Sequence, residues 1–454
     1  MDQDRINAIF ERLRESSGVV YNQTSLTGLG FVVLLLLGLA IMTLPRRYSI
    51  LPLVILACFI PAGQRLVVAT LDFTLLRILV LFGWTRILLR REDVGFSMKT
   101  IDKVFIAWST CSAITYVLLR GDSGSMIYKL GGMFDAIGVY FLFRILIRDW
   151  DDLFRVVKYF MILSLPVAIF FLIEFKTGRN LFSVLGGVPE ITKIRGERLR
   201  CQGPYVHPIA AGVFWASMFP LFIVYMRVQG TKLLAFLGVA SSLAIVVFCA
   251  SSTPVASSAA AIAALFVYPF RRFMRLLRWG AAIGIVGLHF AMESPVWSLI
   301  GRTDIVGGST GYHRYQLINQ TILRFNEWWA LGTRSTADWG HFLFDVANMY
   351  VSQAVRGGLA TLVLFIIVLT LAYRGVGRML RLTEKDRLKQ LMCWGVGVSI
   401  FSHCVSFIAL NYSHQNEMAF FMMLAITASL APLIRRAPAV ASSKLVSPPP
   451  LVKG

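Results

Sequence analysis

Long apolar runs separated by short basic segments set the pattern of this chain. Phe31–Leu44, Tyr159–Ile173 and Leu359–Ala372 each approach the ~20 apolar residues that cross a bilayer core. Lipid offers a backbone no hydrogen-bonding partner, so such runs must be helices. The pattern predicts spans near 29–45, 48–62, 73–89, 103–119, 128–147, 155–175, 207–227, 232–249, 254–270, 279–292, 347–373, 391–410 and 416–434. The expected fold is therefore all-α and polytopic, with twelve to thirteen transmembrane helices. The run at 48–62 is short and reads as tilted, re-entrant or merged with a neighbour. Two polar stretches break the pattern, one from Lys176 to His207 and a longer one from Glu293 to Val346. The chain thus divides into a polar or amphipathic segment (1–28), a helical block (29–292) with an outward loop near 176–206, a large loop carrying short helices (293–346), a second helical block (347–436) and a tail (437–454).

Composition agrees with lipid as the solvent: 56% of the 454 residues are hydrophobic and 15% charged, with mean hydropathy +0.67. The net charge of +21 raises the question of nucleic acid, but its distribution answers it. Basic residues gather at Arg46-Arg47, Arg86 to Arg91, Arg271 to Arg278, Arg374 to Lys389 and Arg435-Arg436, between the spans. That is the positive-inside pattern, which makes anionic membrane lipid rather than nucleic acid the expected partner. It puts the C-terminal tail in the cytoplasm and both polar stretches on the outward side. Thirteen spans leave the N-terminus outside, and twelve put it inside. The first twenty residues mix acids and arginines, unlike a secretory signal, and Ile6, Ile9, Phe10 and Leu13 fit a short surface helix or a frayed polar end. Five of the six cysteines lie in apolar runs, and Cys201 stands alone in the shorter insertion, so neither a disulfide nor a metal site is expected.

Three constellations carry candidate chemistry. The first includes Arg195, Arg198 and Arg200, spaced before Gly203-Pro204 turns the chain into a span that begins His207-Pro208. Guanidinium groups fork onto phosphate oxygens, so cations on the translocated side point to an anionic lipid headgroup such as a diphosphate. Gly203 would let backbone approach a ligand, Pro208 suits a first helical turn, and His207 reads best as a cap. The second is Gly311-Tyr312-His313-Arg314-Tyr315, running into Trp328-Trp329 and Leu331-Gly332-Thr333. Its spacing predicts an amphipathic helix from Tyr315 to Trp329, whose tryptophans either anchor at the interface or stack on sugars. The third runs from Asp338-Trp339 and His341 through Asp345 and Asn348 to Tyr350, with Arg356-Gly357-Gly358 beyond. Asp345 reads equally as a general base or as a helix N-cap, and Arg356 lies where a span should be and so requires a partner or a polar cavity. Ser251 to Pro254 reads as a structural turn.

Together these residues resemble the O-antigen ligase and O-antigen polymerase superfamily of bacterial membrane glycosyltransferases, over about residues 70 to 435. The likeness rests on Arg200-x-x-Gly203 before His207-Pro208, on the outward loop with Arg314 and Leu331-Gly332-Thr333, and on Asn348-x-Tyr350 leading into Arg356-Gly357-Gly358. It implies a glycosyltransferase-C-like helical fold in the bacterial inner membrane, with its active site facing the periplasm. It also implies a metal-independent transfer of glycan from undecaprenyl diphosphate, with no cofactor. Arg200, Arg314, Arg198 and Arg356 would hold the diphosphate. Asp345, His341 and Asn348 would carry the catalysis, and His313, Trp339 and Tyr350 would contact sugar or acceptor. A flippase and a chain-length regulator are the protein partners such an enzyme implies. The family's ligase histidine is replaced by Ala347, and Thr253 stands where many members carry arginine. These departures favour a polymerase of exopolysaccharide or O-antigen repeat units over a ligase. A transporter is the alternative from another class, although no inverted repeat or paired half-helices are evident.

Overall fold

The computed structural model describes residues 24–433 except 69–70, 94 and 303–310. The Ile6–Leu13 pattern, Arg435-Arg436 and the tail lie outside the described residues. Fifteen α-helices dominate what is described. The first block holds α1 (Gly28–Thr43), α2 (Leu51–Phe59), α3 (Leu75–Arg90), α4 (Thr100–Arg120), α5 (Ser123–Leu146) and α6 (Trp150–Thr177). Next come α7 (Pro208–Tyr225), α8 (Lys232–Phe248), α9 (Ser252–Phe266) and α10 (Met274–Ala291). The long polar stretch carries α11 (Gly311–Leu323) and α12 (Phe325–Trp328), and the chain closes with α13 (Met349–Leu382), α14 (Arg387–Ser406) and α15 (Gln415–Leu433). Two small antiparallel hairpins interrupt the helices, β1 (Arg65–Val68) with β2 (Leu71–Thr74) and β3 (Lys193–Arg195) with β4 (Arg198–Arg200).

Among the described residues, five helices (α4, α5, α6, α7 and α13) are each long and apolar enough to cross a membrane. A sixth span is reached if α9 and the following Tyr268–Ala291 segment, bent by 77°, count as one. This is the architecture of an all-α, multi-pass membrane protein. The sequence pattern had predicted separate spans at 254–270 and 279–292. The structure holds a helix in each of these segments, with the 77° bend just before the basic run Arg271 to Arg278. The apolar run at 48–62 becomes the nine-residue α2, and the helix expected from Tyr315 to Trp329 is split at Arg324 into α11 and α12.

Helix α7 sits at the centre: every residue except Ile209 and Ile223 is buried, including Phe214, Trp215, Phe219 and Phe222. At the other extreme α10 buries no residue, and Leu276, Ile283 and Phe290 stand exposed on it as lipid-facing side chains do. The two ends of the bundle differ. One end holds ion pairs between helix termini, with Arg46 Nη1 2.8 Å from Asp152 Oδ2 and Arg86 Nη2 2.8 Å from Glu92 Oε1. The other holds the two hairpins and the polar loops, tied together by Ala62 N donating to Pro204 O (3.2 Å) and Arg120 Nη2 to Arg334 O (2.8 Å).

Helix α13 is broken near this second end. Gly358 has φ 72° and ψ −179°, a region essentially reserved for glycine. The break frees backbone groups, and the preceding loop takes them up: Leu359 N donates to Trp329 O (2.8 Å) and Thr333 N to Val355 O (2.7 Å). A Cβ on Gly358 would come within 2.3 Å of Ala330 O, and one on Gly332 within 2.5 Å of Val355 O. The two glycine motifs singled out in the sequence are therefore the two halves of one backbone contact.

Candidate functional site

The stretch Lys193-Ile-Arg-Gly-Glu-Arg-Leu-Arg200 folds as β3–β4. Gly196 (φ 54°) and Glu197 (φ 59°) form its two-residue turn, both left-handed as the tight hairpin turn requires. Lys193 pairs with Arg200 and Arg195 with Arg198. Side chains alternate across a strand, so all four cations share one face while Ile194 and Leu199 take the other. Cys201 N donates to Phe248 O (3.0 Å), which pins the end of the hairpin to the last turn of α8. Glu174 secures its base, accepting from Thr192 Oγ1 (3.1 Å), Gln202 N (3.0 Å) and Gly203 N (3.0 Å). That carboxylate is thus occupied with backbone. Gly203 packs on the Phe171 ring, where a Cβ would sit 2.3 Å away, and its N–H and C=O are taken by Glu174 and Asn180.

Arg314 reaches this hairpin from α11. Its Nη2 donates to Thr253 Oγ1 (3.1 Å) in the first turn of α9. Arg195 lies within electrostatic range of both Arg200 and Arg314, and Arg200 within range of Cys249 at the α8–α9 turn. Only 7% of Arg200 and 8% of Arg314 is exposed. Among the described residues neither forms an ion pair, and the Nε of each has no hydrogen-bond partner. Burial, and then Arg195, push both guanidinium groups down from their ordinary pKa. Lys193 is lowered by burial and by Arg200. His207 is pushed down to about 3 by burial, Arg200, Lys193 and Arg195, and so is neutral. It caps α7, its Nδ1 accepting from Ile209 N at 3.2 Å.

Two helix N-termini face this cation group. Gly212 of α7 packs so tightly on Pro254 of α9 that a Cβ would lie 2.5 Å from Pro254 Cγ, which brings the starts of α7 and α9 together. Helix N-termini carry partial positive charge and unpaired N–H groups. The site therefore gathers positive charge, and among the described residues no carboxylate is ion-paired to Arg200 or Arg314, Glu174 being engaged by Thr192, Gln202 and Gly203; chemically it is suited to a polyanion.

The other candidates are placed differently. Arg198 shares the cation face but is exposed. Arg356, half-buried two residues before the α13 break, stands in range of Lys129 rather than with Arg200 and Arg314. Asn348 is the N-cap of α13, accepting from Val351 N (3.0 Å) and donating to Ile408 O (3.0 Å). Asp345 is consequently not the cap. Its carboxylate is exposed and bonds to nothing among the described residues. His341 is exposed with its ring 4.1 Å from that of Phe342. His313 Nε2 meets Phe342 O at 3.0 Å, and the Trp339 indole donates to Glu327 Oε2 (2.8 Å). Tyr350 OH donates to Cys404 O (3.1 Å). His313 and Trp339 thus fasten the large loop.

Sequence reasoning missed Thr253, which it read as part of a structural turn, and the hairpin that sets Lys193 on one face with Arg195, Arg198 and Arg200. The alternation of cations from Lys193 to Arg200 was the available signal. Cys201, read as having no partner, lies within range of Cys249, although all six cysteines are free. Among the described residues no group of three or more His, Cys, Asp or Glu is arranged to hold a metal ion. Compared with known proteins, the chain matches no family model and no curated sequence.

Proposed function

We propose that this protein is a membrane glycosyltransferase that polymerises oligosaccharide repeat units carried on undecaprenyl diphosphate. One observation carries the reading: Arg200 and Arg314 are both buried and both in range of Arg195, with no carboxylate paired to either among the described residues. Leaving buried cations unneutralised is costly, and a diphosphate supplies the missing charge. As the glycosidic bond to the carrier breaks, negative charge grows on the diphosphate. Fixed guanidinium groups stabilise that charge at no cost of reorganisation. Thr253 holds Arg314 in place for this.

The clustering of arginines at the end remote from the hairpins supports a cytoplasmic position for that end and a periplasm-facing site in the bacterial inner membrane. In this reading the shorter helices packed with the five long ones complete twelve or thirteen crossings. The carrier's polyprenyl tail stays in lipid while its diphosphate reaches the cation face.

The test is a deletion strain whose surface glycans are sized on a gel, complemented with wild type, Arg314→Ala or Arg200→Lys. We expect single repeat units from the deletion strain. Arg314→Ala should restore polymer about 100-fold less well than wild type. Arg200→Lys keeps charge but loses the fork and should also fail to restore wild-type yield. Full polymer from Arg314→Ala would overturn diphosphate clamping. Unchanged length with lost attachment to an anchor would make the protein a ligase instead.

A further inference from the structure

A second group of charged side chains lies at the same end of the bundle, beyond the first turn of α15. Glu417 in that turn is half-buried, and among the described residues it has no hydrogen bond or ion pair. It lies within electrostatic range of Lys129 and Asp135. Asp135 is already satisfied by a two-pronged bond to Arg77, at 2.8 and 2.6 Å. Lys129 donates to Ser112 Oγ (3.2 Å), sits 4.6 Å from the Tyr116 ring centroid and lies within range of Arg356. Arg356 likewise has no bonded partner among the described residues. Tyr128, well exposed, has its ring 6.1 Å from that of Tyr116.

This group adjoins the diphosphate site through the same turn. Gln415 Nε2 donates to Pro204 O (3.3 Å) and Asn416 Nδ2 to Ala210 O (3.2 Å). Pro204 and Ala210 flank His207, which is within range of Arg200. One face of the α15 turn is thus bonded to the start of α7, while the next residue, Glu417, turns its charge to α5. Donors, an acceptor and aromatic faces in one place suit a polyhydroxylated ligand, whose hydroxyls both give and take hydrogen bonds.

We propose that Lys129, Arg356 and Glu417, with Tyr116 and Tyr128, form the site for the glycan acceptor, and that Glu417 takes the proton of the attacking hydroxyl. The proposal rests on the transfer reading above. A lone pair of the hydroxyl oxygen forms the new bond to the anomeric carbon. The bond from that carbon to the diphosphate oxygen breaks, its electrons staying on the diphosphate held by Arg200 and Arg314. The hydroxyl proton passes to the Glu417 carboxylate. Arg356 and Lys129 orient the acceptor by bonding its hydroxyls.

The test uses full-length protein in nanodiscs and two readouts: polymer formation from the cell's own lipid-linked repeat units, and binding of inorganic pyrophosphate. Glu417→Gln should slow polymer formation about 100-fold while pyrophosphate binding is unchanged, and Glu417→Asp should recover part of the rate. Arg356→Ala should raise the KM for the acceptor more than it lowers kcat. Wild-type turnover by Glu417→Gln would overturn the proposal. So would loss of pyrophosphate binding in that variant, which would assign Glu417 to the fold. Wild-type protein that binds no pyrophosphate would instead overturn the transfer reading, and the acceptor site with it.

Discussion

At the scale of single residues, the candidate site is defined by buried side chains that lack an ion-pair partner among the described residues. Arg200 and Arg314 are as buried as core residues, yet each keeps an Nε without an acceptor. Native interiors rarely leave such groups unmet without a functional reason. His207 shows the cost of that charge. Its pKa is held near 3, against an ordinary value of 6.5, because it is buried and faces three cations. The unfolded chain therefore takes up a proton as pH drops through about 6.5, while the folded protein takes none until about 3. Stability should decline across that window as pH falls. His207→Asn preserves a capping side chain and removes the titration, so its melting temperature should fall less than that of wild type between pH 7 and 4. Equal slopes in the two proteins would show that His207 does not titrate in this way.

At the scale of elements, two small devices place these residues. The β3–β4 hairpin turns an alternating run of cations into a single charged face, and the break in α13 receives the loop that follows α11 and α12. Gly358→Ala should strain the backbone by about 1–3 kcal/mol and push Ala330 away. A lower melting temperature is expected, and an unchanged one would contradict the account of the break. The glycines at both halves of this contact were visible in the sequence, and so were Arg200 and Arg314, because arginine is costly on an outward segment. The hairpin was harder to read, since three-residue strands leave little period to detect. Asn348 rather than Asp345 caps α13, a distinction of three residues that pattern alone does not resolve. Thr253, Lys129 and Glu417 were not legible as site residues, because only folding brings α9 to α11 and α15 to α5.

At the scale of the molecule, apolar runs point to a helical membrane protein, and among the described residues five helices meet the length and polarity for crossing on their own, or six with the bent pair. The further apolar stretches that the sequence counts as spans fold as shorter helices, such as α2, or as the bent pair. The candidate sites lie at the end opposite the Arg46–Asp152 and Arg86–Glu92 ion pairs. In the proposed function, that polarity would let a carrier lipid present its headgroup to Arg200 and Arg314 without leaving the bilayer. The central claim is that these two arginines hold a diphosphate, and the direct measurement is binding of undecaprenyl diphosphate to the protein in nanodiscs, against undecaprenyl monophosphate as control. The account predicts preference for the diphosphate, with affinity weakened at least about tenfold in both Arg200→Ala and Arg314→Ala, the loss of a charge-assisted contact. Equal binding of the two lipids, or variants that bind as tightly as wild type, would contradict it.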